Sequence, residues 1–245
     1  MRVRRILTCM GMALLTAGCA AEVGVPLAEG VAAKMVASPP ALPAVGATAV
    51  YRVVNGYNGD ELGQLRYRVD HAGGDWVVVA VTANSPYLGF SHREEYTAEG
   101  NWLHHPILNH DYPTDYRFAP PYPAYAFPLD IGKSWSSQVS ATNVATGKAK
   151  SMRVYGKVAG GARISTPAGT FDTIRIVRTV YAGDAEVFIT QTVTTETDWY
   201  APSIGRAVRI ERRSRWYDAG RGARWGANAV QGDWNVLELV GYAGN

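Results

Sequence analysis

Residues 164–177 read ISTPAGTFDTIRIV, and residues 199–215, a little further along the chain, read WYAPSIGRAVRIERRSR. In the first segment Pro167 presets the φ angle of a tight turn, and Gly169 can take the positive φ that closes a hairpin. Apolar and polar residues alternate after the turn, which is the two-residue period of a strand with one buried face. The sequence therefore predicts a β-hairpin with Pro167 and Gly169 as its structural turn.

A strand rich in threonine separates these two segments. Its apolar side chains share one face: Val187, Ile189, Val193 and Trp199. The opposite face carries threonine and acidic side chains: Thr190, Thr192, Thr194, Glu196 and Asp198. Because threonine suits a half-exposed pleat, we expect the polar face to contact solvent and the apolar face to point inward. Pro202 and Gly205 then end this strand and open the next one.

The same alternation and turn chemistry recur from residue 48 onward. They predict an all-β domain over residues 48–245, built as a single antiparallel meander sheet of about a dozen strands, half-barrel or open-barrel like. Two segments differ from this pattern. Residues 76–81 are continuously apolar, which predicts a strand covered on both faces. Residues 109–128 are rich in proline and aromatic residues, which predicts a long connection without strands that packs over the domain as a lid.

Four motifs in the second half of the chain carry a resemblance to a known family. They are FPLDIGKSW at 127–135, PAGTFDTIRI at 167–176, WYAPSIGRAVR at 199–209 and LELVGY at 237–242. Together they resemble the TapB-like family of bacterial envelope proteins, whose function is largely unassigned. The resemblance covers residues 127–242 and implies an antiparallel, half-barrel-like sheet, similar in outline to the lipoprotein-localisation carriers of the bacterial envelope. It implies no catalytic residue.

The N-terminus has the layout of a secretory signal. Three arginines among the first five residues precede an apolar segment, 6–17, that is shorter than the roughly 20 residues of a permanent transmembrane helix. The sequence continues into LTAGC, which resembles a bacterial lipoprotein box, with Thr16 at the position where such boxes usually have leucine. We therefore predict that residues 1–18 are a lipoprotein signal peptide and that Cys19 is the lipid-attachment residue. Ordinary secretion with an incidental cysteine is the alternative.

The residues after Cys19 set the expected location of the mature protein. Ala20, in place of an acidic residue, resembles the sorting signal for the outer membrane. We therefore expect a lipid-anchored protein of the bacterial cell envelope, held at the outer membrane and facing the periplasm. Residues 19–47 are rich in alanine, valine and proline and poor in charge, which predicts a flexible tether between the anchor and the domain.

Charge and cysteine content exclude two further classes of protein. The chain has 24 Lys and Arg and 21 Asp and Glu, and removal of the three signal arginines leaves 21 of each sign. Without a net positive field, nonspecific binding to nucleic acid is not favoured, so we expect no nucleic-acid partner. Cys19 is the single cysteine of the mature chain, which leaves no intrachain disulfide.

Candidate catalytic and metal-binding residues are few. The best metal candidates lie close together in sequence: His104, His105, His110, Asp111 and Asp115. Adjacent residues of a strand point to opposite faces, so His104 and His105 cannot both join His110 without distortion, and we predict no metal site. The same geometry separates Glu94 from Glu95 as a paired acid and base, and no phosphate-binding glycine motif opens a helix. We therefore predict no cofactor, no catalytic residue and a protein that is not an enzyme.

Tryptophans at predicted strand ends are candidates for a ligand-binding face. Trp135, Trp199 and Trp216 lie where a half-barrel has its mouth, and aromatic side chains line many small-molecule sites. Packing in the core is the alternative. The first functional hypothesis is accordingly a non-catalytic envelope lipoprotein that binds a lipid or another apolar envelope component in a concave sheet.

Arginines on a later strand are candidates for a docking patch. Arg209, Arg213 and Arg215 share one strand face and could contact lipid phosphates or an acidic partner. The alternative is a solvated face paired with Glu196 and Asp198 of the preceding strand. The second hypothesis is a structural or accessory lipoprotein that docks onto an envelope protein complex through this patch. A third, less favoured one is a hydrolase acting on envelope material.

Overall fold

The computed structural model describes residues 24–32, 34–89, 91–109, 112–183, 189–218 and 228–244. These residues form strands almost throughout, with one short helix, α1 (Glu29–Ala32), and one 3-10 turn at Pro86–Leu88. The short strands are β1 (Val25–Pro26), β2 (Val36–Ala37) and β9 (Leu129–Asp130). The long strands are β3 (Thr48–Asn55), β4 (Glu61–Gly73), β5 (Trp76–Ala83), β6 (His92–Thr97), β7 (Trp102–Asn109), β8 (Tyr112–Tyr122), β10 (Ser134–Asn143), β11 (Ala149–Thr166), β12 (Gly169–Gly183), β13 (Ile189–Ala201), β14 (Arg206–Asp218) and β15 (Asn228–Ala243).

The long strands form one closed antiparallel barrel. Each of the strands β3 to β8 and β10 to β15 pairs with the next long strand along the chain, and β15 pairs back with β3. The closing pairs run from Asn235 opposite Asn55 to Ala243 opposite Thr48. The fold prediction is confirmed, because the protein is all-β, the sheet is a meander of a dozen strands, and the meander curls until its two edges meet.

The predicted hairpin turn joins β11 to β12. Thr166 pairs with Gly169 at the tip, and Gly169 has a positive φ of 135°. Pro167 and Ala168 are the two turn residues. The backbone N–H of Ala168 donates to the carbonyl of Leu239 at 3.2 Å. The tip therefore reaches β15, which is not a neighbour of either hairpin strand in the sheet.

Successive connections lie at opposite ends of the barrel, because neighbouring strands run in opposite directions. The end that carries the β11–β12 turn also carries the β6–β7, β8–β10 and β13–β14 connections and the start of β3. We call this the upper end. Segments that are far apart in sequence therefore meet there.

The segment 109–128, predicted to be a loop, is a strand for most of its length. Residues Tyr112–Tyr122 form β8, which pairs with β7 on one side and β10 on the other. Both pairings skip Pro120 and Pro121, so the N–H groups that proline lacks interrupt no ladder there. A connection without strand structure begins only at residue 123, and the prediction of a long lid is wrong.

Strand β5 is covered on one face rather than two. Val77, Val79 and Val81 are buried inside the barrel, whereas Val78 is half-buried on the outside and Trp76 is 44% exposed. Valine favours strands on either face of a sheet, so a continuous apolar run does not require a second covering layer. The prediction of two covered faces is wrong.

The N-terminal segment packs along the barrel instead of forming a free tether. β1 pairs with β11, β2 pairs with β9, and Ala37 and Ala47 are almost fully buried. Small apolar side chains let the backbone approach the sheet closely, which corrects the tether prediction for residues 24–47. The predicted signal peptide, 1–18, and Cys19 lie outside the described residues. Among the residues described, no helix is long and apolar enough to cross a membrane.

Candidate functional site

The barrel encloses a cavity of about 470 Å³ that is partly open at the upper end. Three segments outside the strands line this end of the cavity: residues 40–43, the β6–β7 turn at 98–100 and the β13–β14 turn at 202–205. The volume falls within the roughly 300–1,000 Å³ of typical small-molecule sites. The cavity is therefore large enough to take a ligand.

The cavity wall is mostly apolar and aromatic. Inward positions of β3, β4 and β5 supply small side chains: Ala49, Val69, Val77 and Val79. Larger aromatic side chains complete the wall: Tyr51, Tyr67, Tyr96, Trp102, Tyr125 and Tyr200. Small residues on adjacent strands leave space that larger ones would fill. A wall of this composition suits an apolar ligand with few polar groups.

A buried ion cluster borders the cavity. Arg178 is 0% exposed, and its guanidinium donates three hydrogen bonds, to Glu196 at 2.8 Å, to Asp198 at 2.9 Å and to the carbonyl of Ala124 at 3.0 Å. Two tyrosine hydroxyls donate to the same carboxylates at 2.9 and 3.0 Å: Tyr122 and Tyr125. Buried charges persist in proteins when they are paired in this way. The cluster therefore joins β12, β13 and the β8–β10 connection inside the barrel.

Burial and charge act in opposite directions on this cluster. Burial alone would raise the pKa of Glu196, but Arg178 and Arg212 hold the pKa of that carboxyl below its usual value. Burial raises the pKa of Tyr122 and Tyr125 well above the usual value, and the adjacent carboxylates raise it further. At neutral pH Glu196 is therefore an anion and both tyrosines are neutral donors.

A second buried polar group lies on β6 and β7. Glu94 accepts hydrogen bonds from Nε2 of His92 at 2.9 Å and from the hydroxyl of Tyr96. His105 stacks on Trp102 with ring centroids 3.9 Å apart and donates its Nδ1–H to a backbone carbonyl at 2.6 Å. Burial lowers the pKa of His105 to about 4. Burial alone would raise the pKa of Glu94, whereas His105 and His92 lower it to about 2.

The three tryptophans predicted as a ligand face are not together. Trp135 and Trp199 lie at the upper end of the barrel, and Trp216 lies near the opposite end. Trp135 covers Gly156 and donates its ring N–H to the carbonyl of Pro123 at 3.0 Å. None of the three tryptophans is among the described residues that line the cavity. The prediction is wrong, and the alternative of core packing holds for Trp135 and Trp199.

Strand β13 faces the opposite way from the prediction. Asp198 lines the cavity and Glu196 joins the interior cluster, whereas Trp199, which pairs with Arg209, points to the outside. Trp199 is still only 4% exposed, because it belongs to an apolar cluster that includes residues of β11, β12 and β14. Val187 lies outside the described residues. The polar face of this strand is the inner one.

The predicted docking residues share the outer face of β14 but do not pair with the acidic residues of β13, which point inward. Arg209 binds Glu211 at 2.7 Å and also binds Glu238. Arg213 and Arg215 are exposed. Two aromatic rings lie 5.8 and 5.0 Å from the guanidinium of Arg213: Tyr57 and Trp234. The outer face is therefore a mixed aromatic and cationic surface.

The histidines predicted not to form a metal site lie on opposite faces of β7, as expected. His105 lines the cavity, whereas His104 lies outside, 4.0 Å from Glu95 and 3.8 Å from Asp115. Two further residues of that group lie outside the described residues: His110 and Asp111. Within the described part of the chain, no group of three or more His, Cys, Asp or Glu side chains could hold a metal ion.

One feature of the sequence indicates the buried ion cluster. Arg178 stands in the inward register of β12, between the buried apolar residues Ile176 and Val180. Its partner in the sheet register is Glu196. A charged residue in an apolar register, opposite an acidic residue on the next strand, is a sign of a buried ion pair.

Fold and cavity together define the class, an up-and-down antiparallel β-barrel with a partly open interior site. No family model matches the chain, and no curated protein matches it either. Among solved structures, a lipoprotein candidate from Parabacteroides distasonis is similar with a TM-score of 0.47 and 15% identity, over 83% of this chain and 97% of that one. An exported-protein candidate with a YmcC-like fold from Bacteroides fragilis has a TM-score of 0.48 and 16% identity, over 85% of this chain and 100% of that one.

Proposed function

We propose that the chain is a lipid-anchored protein of the bacterial cell envelope, related to the TapB-like family, whose barrel cavity binds an acyl chain or another apolar envelope component. The observation that carries this proposal is the cavity of about 470 Å³, lined by valine and aromatic side chains and partly open at one end. A concave and mostly apolar site with few polar groups is the usual form of a small-molecule site. The proposed role is binding, without a catalytic step.

The path of the N-terminal segment supports a cavity that opens close to a membrane. Val25 pairs with Arg163 on β11, near the upper end of the barrel. With a lipid on Cys19, the six Cα-to-Cα steps from Cys19 to Val25 span at most roughly 20 Å when fully extended. The cavity opening then lies near the bilayer surface, where an acyl chain can enter. From the lipoprotein box and Ala20 we assign this surface to the outer membrane, on the periplasmic side.

The anchor is tested by following the protein through cell fractionation. The parent chain should partition with the envelope membranes, and the Cys19→Ser variant should appear in the soluble exported fraction with altered gel mobility. Unchanged partitioning and mobility would remove the anchor from the proposal without affecting the cavity.

The cavity is tested on the full chain carrying Cys19→Ser, titrated with the neutral fluorescent probe N-phenyl-1-naphthylamine. Val79 points into the cavity, and its neighbour Val78 lies on the outer face of the same strand. We expect Val79→Trp to abolish most of the probe signal and Val78→Trp, the matched control, to leave it unchanged. Native mass spectrometry of the protein purified without detergent should show a bound lipid mass.

Absence of probe binding and of a co-purifying lipid would contradict the cavity proposal. Equal effects of the two tryptophan variants would do the same, because they would place the probe outside the barrel. The docking hypothesis would then take its place, with the outer surface around Arg213, Tyr57 and Trp234 as the contact region.

A further inference from the structure

Arg212 borders the ion cluster described above, 4.0 Å from a carboxylate oxygen of Glu196, but donates no hydrogen bond to the described residues of the cluster. Arg212 lies on β14 between Glu196 and Asn235 of the adjacent strands, and it lines the cavity. Its side chain is 19% exposed. The guanidinium carbon lies 5.2 Å from the centre of the Trp102 ring. Of the β14 residues that line the cavity, Arg212 is the farthest from the upper end, so it lies at the inner end of the cavity and packs over its aromatic wall.

The described residues do not accept hydrogen bonds from Arg212. Arg178 donates three hydrogen bonds, but within the described residues Arg212 donates none. Its Nε is buried without a partner, and the nearest carboxylate oxygen, on Glu196, is 4.0 Å away. A guanidinium carries five N–H donors, and leaving buried donors unpaired is unfavourable. The guanidinium of Arg212 is therefore available to an acceptor that enters the cavity.

Among the described residues, the anion nearest to Arg212 is Glu196, whose Oε1 lies 4.0 Å from Nε of Arg212, and Arg178 and Tyr122 already donate hydrogen bonds to its Oε2. Two arginines, Arg206 and Arg212, line the cavity. The carboxylate of Asp198 also lines it, but both of its oxygens already accept hydrogen bonds within the ion cluster. Glu99 belongs to the β6–β7 turn at the opening.

We propose that Arg212 binds the carboxylate of a single-chain acyl acid whose hydrocarbon chain runs along the cavity towards the opening. This inference rests on the proposed function and adds the chemistry of the headgroup. A planar carboxylate with two oxygens fits the fork of a guanidinium. The inner end of a cavity accepts a small terminal headgroup, and the hydrocarbon chain contacts the valines of β4 and β5.

The experiment measures displacement of N-phenyl-1-naphthylamine from the full chain carrying Cys19→Ser, at pH 8, by dodecanoic acid and by dodecanol. The two compounds have the same chain length and differ in the headgroup. We expect the acid to bind roughly 10- to 100-fold more tightly than the alcohol, since hydrogen bonds to a charged group contribute a free energy that corresponds to an affinity ratio of this size. Arg212→Met should remove this difference by weakening the acid alone, and Arg212→Lys should restore part of it.

The outcomes separate the two proposals. Equal affinity for acid and alcohol in the parent protein, or an unchanged preference in Arg212→Met, would overturn the role of Arg212 and leave the cavity proposal intact. Failure of the parent to bind the probe, the acid and the alcohol would overturn the cavity proposal itself. Binding of the alcohol by Arg212→Met shows that this variant is folded. If Arg212→Met does not fold, the role of Arg212 is tested by the acid preference of the parent and by the reduction of that preference in Arg212→Lys.

Discussion

Substitution of Arg178 by methionine tests how much the buried ion cluster contributes to the stability of the barrel. Methionine fills much of the same volume without charge, so the change removes three hydrogen bonds and leaves Glu196 and Asp198 buried without the cation that binds them. Removing one partner of a buried ion pair typically costs about 3 to 5 kcal/mol. Because Arg178 is 0% exposed, solvent does not screen this loss.

The expected effect on thermal unfolding follows from the size of the domain. Each kcal/mol shifts the midpoint by roughly 2 to 4 °C in domains of 150–250 residues, so we expect Arg178→Met to unfold roughly 6 to 20 °C below the parent at pH 7. Differential scanning calorimetry on the Cys19→Ser background measures this shift. Arg153 is exposed on the outer face of β11. The matched control Arg153→Met should change stability by less than about 0.5 kcal/mol.

The pH dependence gives a second reading of the same substitution. In the parent the pKa of Glu196 lies below its usual value, so its contribution to stability is present above the unfolded-state pKa and is lost as the pH falls. Without Arg178, burial should raise that pKa above the unfolded value, and protonation then favours the folded state. The stability gap between variant and parent should therefore narrow as the pH falls from 7 towards 4. A gap below about 1 kcal/mol at pH 7 would refute the reasoning, because a pair of this kind typically contributes several times more.

Three further substitutions test separate parts of the structure. Trp199→Ala should lower the free energy of unfolding in urea by about 3 to 5 kcal/mol, the range for a packed core tryptophan. It should leave the affinity for the probe unchanged, because the ring lies outside the cavity. A large loss of affinity would contradict this placement. Gly169→Val should cost about 1 to 3 kcal/mol because Gly169 has a φ of 135°, whereas Thr170→Val in the same hairpin should cost much less, and equal costs would count against backbone strain. In the parent, burial lowers the folded-state pKa of His105 from 6.5 to about 4, so the parent loses stability over this pH range as the unfolded state takes up the proton. His105→Gln should therefore make the free energy of unfolding less dependent on pH between 6.5 and about 4. An unchanged pH profile would exclude His105 as the cause of the loss.

The strand content of the barrel could be predicted because the signals for it are local. The turn at Pro167 and Gly169 depends on the backbone preferences of those two residues, and the strands on either side depend on a two-residue period. The predictions were wrong for segments whose structure depends on tertiary contacts. The prolines at 120 and 121 fit in a strand because the pairing skips them on both sides. Residues 24–47 pack because neighbouring strands accept their small side chains.

The site was harder to predict because a period of two shows which residues share a face and does not show which face is inside. For β13 the usual rule, apolar inward and polar outward, gave the wrong answer. Arg178 lies opposite Glu196 in the register and pairs with its carboxylate, which stabilises the polar face of β13 inside the barrel. Once the carboxylates are inside, Trp199 must point outward and find its own apolar cover. The cavity is then lined by a polar inner end and an apolar wall, and Arg212 is the cation there that no described residue hydrogen-bonds. A barrel filled by apolar packing alone would offer a ligand no such point of attachment, which is why the orientation of this one strand determines whether the interior can serve as a site.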